Sequence, residues 1–423
     1  MPSKSALRAT VLLTVLVASA STAVAAVRLT YPVFGTPTKV FWSRDAFPIQ
    51  YEIDGRLLSS APNAEAVIGK AFDAWTGIDE ANITFSEIPF VKGDAAGKNG
   101  RNSITAVSDL FKDQGMLAVT TNWYGDDGKM IEADIQVDAN LMSSNYNVQL
   151  AIEHEVGHLL GLDHSAVLSA VMYPYVTTGT AAPLDSDDRI AMAAIYPKQT
   201  NGAILKGSVM GTSGAIFAAQ VVAVNERGEP VATGLTDQSG NFELEGVPAG
   251  SYRLYAEPLD GPVDPNNLAG VYRLAKVDSF PTEFMDAKPF QVEDGNIYGN
   301  LVVNITGGTV KLNPRWVGIA PAGQQFATLS SMSVKAQAGQ TVTIAVGGDG
   351  FTGGMTTFDI LSPGIKRVSD FRYSSNYAAA DFAISPDVKP GSAVIVVKSG
   401  NESAMLTGAL RIDSPTRNRA ARH

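Results

Sequence analysis

Apolar and polar positions alternate along residues 47–55, Phe-Pro-Ile-Gln-Tyr-Glu-Ile-Asp-Gly, which predicts a half-buried strand. The period then changes. Ala64, Val67, Ile68, Ala71, Phe72 and Trp75 recur at helical spacing, predicting a helix from Ala64 to Trp75 that stops near Gly77. Its aromatic pair, Phe72 and Trp75, reads as core. Further strands are predicted at Ile83-Thr84-Phe85, from Gly115 to Thr121, and from Ile131 to Val137. Between them, residues 93–103 are rich in Gly and Asn and read as a loop, and Asp126-Asp127-Gly128 reads as a turn. Strands mixed with long helices predict an α+β first unit.

The pattern alters again after residues 197–203, a polar linker containing Pro197 and Gly202. From Leu205 the chain reads as short strands, at Gly207-Ser208-Val209, at Ala219 to Val224, around Gly234 to Leu244, and at Val247 to Ala256. Turn residues recur between them at the spacing of a β-sandwich. A second all-β stretch runs from about Gly307 to Ser414. The fold class expected is therefore multidomain, an α+β domain followed by two all-β sandwiches.

Candidate chemistry concentrates in one run, Glu153-His154-Glu155-Val156-Gly157-His158-Leu159-Leu160-Gly161-Leu162-Asp163-His164-Ser165. Of four histidines in the chain, only His423 lies elsewhere. His154 and His158, four apart, share one helix face. Neutral imidazoles at that spacing suit Zn²⁺. Glu155 points to a neighbouring face, where it can act on a water held by the metal without binding the metal. On an uninterrupted helix His164 would lie about 240° round from His158 and miss the ion. Gly161 can take a left-handed conformation, end the helix and let His164 return as third ligand. Three protein ligands leave a fourth position open, the arrangement of a catalytic rather than a structural zinc.

This run matches HExxHxxGxxH and resembles the zinc signature of metzincin metalloproteases. Ser165 and the later Val171-Met172-Tyr173-Pro174 resemble the matrixin branch, the matrix metalloprotease-like enzymes. The resemblance covers roughly residues 27–198 and is strongest over 150–196. It implies a methionine turn at Met172 beneath the zinc, with Gly161 and Pro174 supporting the site. It implies a closing helix between Leu184-Asp185-Ser186-Asp187-Asp188 and Ile195-Tyr196. It also implies that the strand holding Leu117 and Ala118 borders the cleft and binds substrate through main-chain hydrogen bonds. The second zinc of many matrixins is not expected, since its histidines are missing. Asp126, Asp127, Asp134 and Asp138 could supply oxygen ligands to Ca²⁺, or could be ordinary turn and surface carboxylates. The family's tyrosine two residues after the turn proline is Val176 here, beside Tyr175, and Glu153 is an unusual charge near the cleft.

Thr236 to Phe242 together with Pro248 to Tyr252 resemble the carboxypeptidase regulatory-like, transthyretin-type sandwich. Ala338 to Val346, Gly350-Phe351 and Ile384 to Val397 resemble an Ig-like sandwich of the IPT type. Neither stretch holds a cluster of catalytic side chains, so each is a spacer or a binder of surfaces or substrates.

Composition adds location and excludes partners. Residues 1–26 read as a secretory signal peptide, with Lys4 and Arg8 before the apolar run Ala9 to Ala20 and small residues at Ala23-Val24-Ala25. No other segment is apolar enough to span a membrane. There is no cysteine, hence neither disulfide nor the cysteine switch of many matrixins. The short distance from Ala25 to Phe41-Trp42 leaves no room for a pro-domain of the usual kind, so the secreted chain is expected to begin near Ala26 or Val27 and to be active as such. A net charge of −10 argues against nucleic acid as a partner. The expected organisation is a signal peptide (1–26), a zinc peptidase domain (27–198), two sandwiches (203–306 and 307–414) and a basic tail (415–423). The expected function is a secreted, extracellular zinc endopeptidase acting on protein or peptide, with His154, His158 and His164 as ligands and Glu155 as general base. The competing reading is a surface adhesion or carbohydrate-binding protein with an inactive protease-like domain.

Overall fold

The computed structural model describes residues 28–91, 96–108, 116–176, 183–199, 202–325 and 328–414. The expected signal peptide and the basic tail lie outside these residues. The chain opens with a hairpin of β1 (Thr30–Val33) and β2 (Thr36–Lys39). Five strands then form one sheet: β3 (Ile49–Ile53), β4 (Phe85–Glu87), β5 (Ser103–Val107), β6 (Ala118–Tyr124) and β7 (Met130–Asp138). Their order is β4-β3-β5-β7-β6, parallel throughout except for β6, which is antiparallel and lies at the edge.

Four helices accompany the sheet: α1 (Gly55–Leu58), α2 (Ala64–Thr76), α3 (Val148–Leu159) and α4 (Ser186–Ile195). The apolar stripe read in the sequence is the buried face of α2, with Ala64, Ile68, Ala71, Phe72 and Trp75 inside. Trp75 is fully buried, and its indole N–H donates to the carbonyl of Glu153 at 2.8 Å, which ties α2 to α3. Asn147 caps α3 through the Leu150 N–H, and Asp185 with Asp188 forms a capping box on α4.

Two local readings shift. The strand expected at 83–85 begins at Phe85 and ends at Glu87, because pairing with β3 sets Ile49 opposite Phe85. Ser103, placed at the end of a loop by composition, opens β5. Ser103 and Thr105 are buried there, so the alternation that would mark a half-buried strand is absent.

From Ala203 on, the described chain is β apart from two short helical turns at Pro265–Asn267 and Gly270–Tyr272. One sandwich comprises β8 (Ala203–Gly211), β9 (Gly214–Ala215), β10 (Gln220–Asn225), β11 (Pro230–Leu235), β12 (Asn241–Val247), β13 (Gly250–Glu257), β14 (Glu283–Phe284), β15 (Phe290–Val292) and β16 (Ile297–Asn304). One sheet runs β11-β10-β13-β14 with β15 also on β13, and the other β12-β8-β16 with β9 on β8. The next comprises β17 (Asn313–Pro321), β18 (Val334–Gln337), β19 (Thr341–Asp349), β20 (Thr356–Ile360), β21 (Ile365–Arg367), β22 (Arg372–Tyr373), β23 (Tyr377–Ile384), β24 (Gly391–Ser399) and β25 (Glu402–Asp413). Its sheets run β17-β19-β23-β21, with β22 on β23, and β18-β25-β24-β20.

The three units are packed together rather than strung out. Leu168 and Tyr173 belong to the apolar cluster of the second sandwich, and Ile190 to that of the first. The N–H and hydroxyl of Thr233 both donate to Asp187, at 3.0 and 2.9 Å, and the Leu168 N–H donates to the Thr407 carbonyl at 2.9 Å.

Between the sandwiches, buried Glu257 accepts hydrogen bonds from Gln220 and Thr407, each at 2.7 Å. Burial pushes its carboxyl up to about 7, against the hydrogen bonds that favour the anion. A folded pKa above the unfolded one means that Glu257 supports the fold fully below the unfolded value, and that this support is lost as pH rises toward 7. Glu257→Gln keeps an acceptor and removes the charge. The variant is expected to gain stability over the natural chain as pH rises from about 4.5 to about 7, by on the order of 3 kcal/mol at most. Thermal unfolding of both proteins across pH 4–8 checks this, and parallel curves would contradict it.

Candidate metal centre

The site is built by the end of α3. His154 and His158 lie one turn apart on its inward face. Gly161 then takes φ +102°, a left-handed conformation, while its N–H donates to the His158 carbonyl at 3.0 Å. A side chain there would also run into the Val40 carbonyl, 2.8 Å from the ideal Cβ. The chain turns, and His164 comes back over the helix.

The three Nε2 atoms converge. His164 Nε2 lies 3.1 Å from His154 Nε2 and 3.3 Å from His158 Nε2. Two nitrogens bound tetrahedrally at about 2.0 Å would sit about 3.3 Å apart, so the donor set fits zinc in spacing as well as in kind. Each ring is oriented from behind by a main-chain carbonyl, which can only accept. His154 Nδ1 donates to Val171 at 2.7 Å, His158 Nδ1 to Leu162 at 2.8 Å, and His164 Nδ1 to Asn267. The protons are thus on Nδ1 and the Nε2 lone pairs face one another. Burial holds all three rings below their ordinary pKa, with His154 pulled down to about 3, so they stand neutral and ready to ligate.

Glu155 follows His154 on the next face of α3. Its Oε2 accepts from the Thr120 hydroxyl at 2.6 Å, and the same hydroxyl reaches the Glu155 carbonyl at 3.0 Å. Burial raises its carboxyl to about 7, with the Thr120 hydrogen bond opposing. Asn122, two residues along the same strand, donates to the His158 carbonyl at 3.1 Å. Edge strand and ligand helix are therefore joined at two points.

Met172 is buried beneath the helix. A Cβ on Gly157 would lie 2.2 Å from its sulfur, so the close approach depends on the glycine. The turn is held by Asp188, whose two oxygens accept from Val171 at 2.8 Å and Met172 at 3.1 Å. Ser165, next to the third histidine, donates to Asp187 at 2.7 Å, and its N–H donates to the Met172 carbonyl. Pro174 is half-buried and Tyr175 exposed at the end of this turn. Ala118 opens β6, and Leu117 stands just before it, its carbonyl accepting from Asp138 at 2.9 Å. Glu153 points away from solvent and is buried, its carboxyl raised to about 7 by desolvation.

Among the described residues, no three of the four aspartates read as possible calcium ligands are placed to share an ion. Asp134 is occupied by Ser103 and Gly97, Asp127 pairs with Lys129 at 2.8 Å, and Asp138 caps the Asn140 N–H. Among the described residues, the histidine triad is the only set of three or more such side chains placed to share an ion.

Thr120, Asp163 and Asn267 were not singled out in the sequence. Thr120 carries a usable signal, a hydroxyl on the strand expected to border the cleft. Asn267 carries none, since 103 residues separate it from His164.

Fold and site together define a metzincin-like peptidase domain. Residues 41–197 match the matrixin family and residues 204–260 the carboxypeptidase regulatory-like domain, so the chain carries a matrixin domain followed by a regulatory-like sandwich. Over 180 residues it is 27% identical to metalloendoproteinase 2-MMP of Arabidopsis thaliana, a match covering 39% of this chain and 45% of that protein. Interstitial collagenase of Bos taurus is 29% identical over 178 residues, 39% of this chain and 35% of its own length. Karilysin of Tannerella forsythia is 56% identical over 43 residues, 10% of this chain and 9% of that one. The chain thus spans less than half the length of these curated relatives.

Proposed function

We propose that the protein is a secreted zinc endopeptidase that cleaves peptide bonds in extracellular protein or peptide substrates. The observation that carries this reading is the convergence of three neutral imidazole Nε2 atoms at 3.1 and 3.3 Å, with Glu155 next to the first of them on the same helix and its carboxylate held by Thr120. His154, His158 and His164 would hold the ion, which when bound supplies a Lewis acid for water and for the scissile carbonyl. Glu155 takes the proton of the attacking water and passes it to the leaving amine. Thr120 fixes the carboxylate that does this. Met172 shapes the floor of the site without taking part. The outer edge of β6, which pairs with no other strand among the described residues, aligns an extended substrate at positions including Ala118 by strand addition. The proposal includes one zinc and no calcium site made from Asp126, Asp127, Asp134 and Asp138.

Residues 27–198 would be the peptidase domain, with 203–306 and 307–414 as the two sandwiches. Secretion rests on the signal-like pattern of residues 1–26. No helix among the described residues is long and apolar enough to cross a membrane.

Metal removal tests the reading. Full-length protein treated with a strong chelator is expected to lose cleavage of a random peptide library, and to regain it with one equivalent of Zn²⁺. Zinc-loaded protein that cleaves nothing in the library would defeat the proposal and favour the adhesion reading.

A further inference from the structure

We infer that the first sandwich is part of the metal centre, and that the Asn267 carbonyl is the group that orients the third ligand. The inference rests on the zinc reading above. Two of the three orienting carbonyls, Val171 and Leu162, come from the same unit as the ligands. The third comes from the crossing between β13 and β14, in the first sandwich.

The contact is built rather than incidental. Pro265–Asn267 form a single helical turn closed at both ends. Asp264 accepts from the Asn266 N–H at 2.8 Å, and the Asn267 side-chain oxygen accepts from the Asp264 N–H at 3.0 Å. That closure aims the Asn267 carbonyl at His164 Nδ1. Two residues further on, the Ala269 N–H donates to Asp163 at 2.9 Å, and the other oxygen of Asp163 accepts the His164 N–H at 2.8 Å. Asp163 is only 2% exposed, so its carboxylate is committed to joining the two segments. Asn267 also donates to the Tyr175 hydroxyl at 3.3 Å, reaching the far side of the methionine turn. Gly270 follows at φ +57°, and a Cβ there would lie 1.8 Å from the Thr30 carbonyl, so this crossing is seated against the first hairpin as well.

A carbonyl accepting from Nδ1 fixes the tautomer, holds the imidazole plane, and raises the basicity of Nε2. Such partners alter metal affinity by roughly 10- to 100-fold. His164 stands on a turn rather than on the helix that carries the other two ligands, so its ring has the least support from its own backbone. Asn267 is therefore a positioning residue acting through His164.

The test uses the full chain. In Asp264→Ala/Asn267→Ala both side-chain closures of the turn are lost, together with the Asn267–Tyr175 hydrogen bond, while His164, Asp163 and the Asn267 carbonyl itself are retained. Its zinc dissociation constant, measured by competition with a chelator of known affinity, is expected to rise roughly 10- to 100-fold. The exchanged pair Asp264→Asn/Asn267→Asp restores an acceptor at each position and is expected to recover most of that affinity. Unchanged affinity in the double alanine variant and in Ala269→Pro, which removes the N–H bonded to Asp163, would overturn the inference. An equal loss in the exchanged pair would also overturn it, as general loosening. A natural chain that binds zinc through its histidines but cleaves no peptide defeats the peptidase proposal alone. An active zinc enzyme indifferent to these changes defeats this inference alone.

Discussion

Glu155→Gln is expected to keep zinc and to lose nearly all turnover. Glutamine preserves the size of the side chain and an oxygen for the Thr120 hydroxyl, 2.6 Å from the carboxylate in the natural chain. The three converging nitrogens are untouched. What disappears is the group that accepts a proton, and positioned general bases contribute about 10²- to 10⁴-fold to rate. His158→Ala removes one of three donors and should lose both metal and activity. Metal analysis beside kcat on one peptide separates the two roles. A Glu155→Gln protein that turns over at the natural rate would remove Glu155 from the mechanism. A metal-free Glu155→Gln protein would mean that the carboxylate helps to hold the ion.

The centre was legible because its constraints are local. Spacing alone puts His154 and His158 on one face of a helix, and a glycine after the helix is enough to return His164 to it. The observed φ of Gly161, +102°, is the conformation that reading required. The long helix α2 was legible for a related reason, since its apolar stripe is its buried face. Features set by pairing partners were less so. β5 carries buried Ser103 and Thr105, and its register depends on β3 and β7, which are distant in sequence. The four aspartates could not be told from ion ligands by type. Their partners, such as the Gly97 and Ser103 amides on Asp134, come from another part of the chain. The orienting carbonyl at Asn267 is the extreme case, because any residue presents a carbonyl and only the packing of two units selects this one.

The same distinction governs what the sandwiches do. The polar linker at 197–203 marks where the backbone leaves the first unit, and such linkers often mark where contacts end too. Here they do not end. Leu168 and Tyr173 are 5% and 3% exposed within the apolar cluster of the second sandwich, and Ile190 is 7% exposed within that of the first. Burying a side chain of this size contributes about 1.5–3 kcal/mol, so separating the units forfeits on the order of 5 kcal/mol. Whole-domain stabilities are only about 5–15 kcal/mol. The exposed patch would also favour association. Loss of the Asn267 carbonyl would leave His164 without its orienting acceptor. A fragment of residues 28–199 is therefore expected to unfold at lower temperature than the first transition of the full chain, to aggregate more readily, and to bind zinc more weakly. Calorimetry, light scattering and chelator competition on both proteins measure these three effects. A monomeric fragment that matched the full chain in melting, zinc affinity and peptide turnover would show that the catalytic unit is self-sufficient, and that the contacts from the sandwiches carry no weight in it.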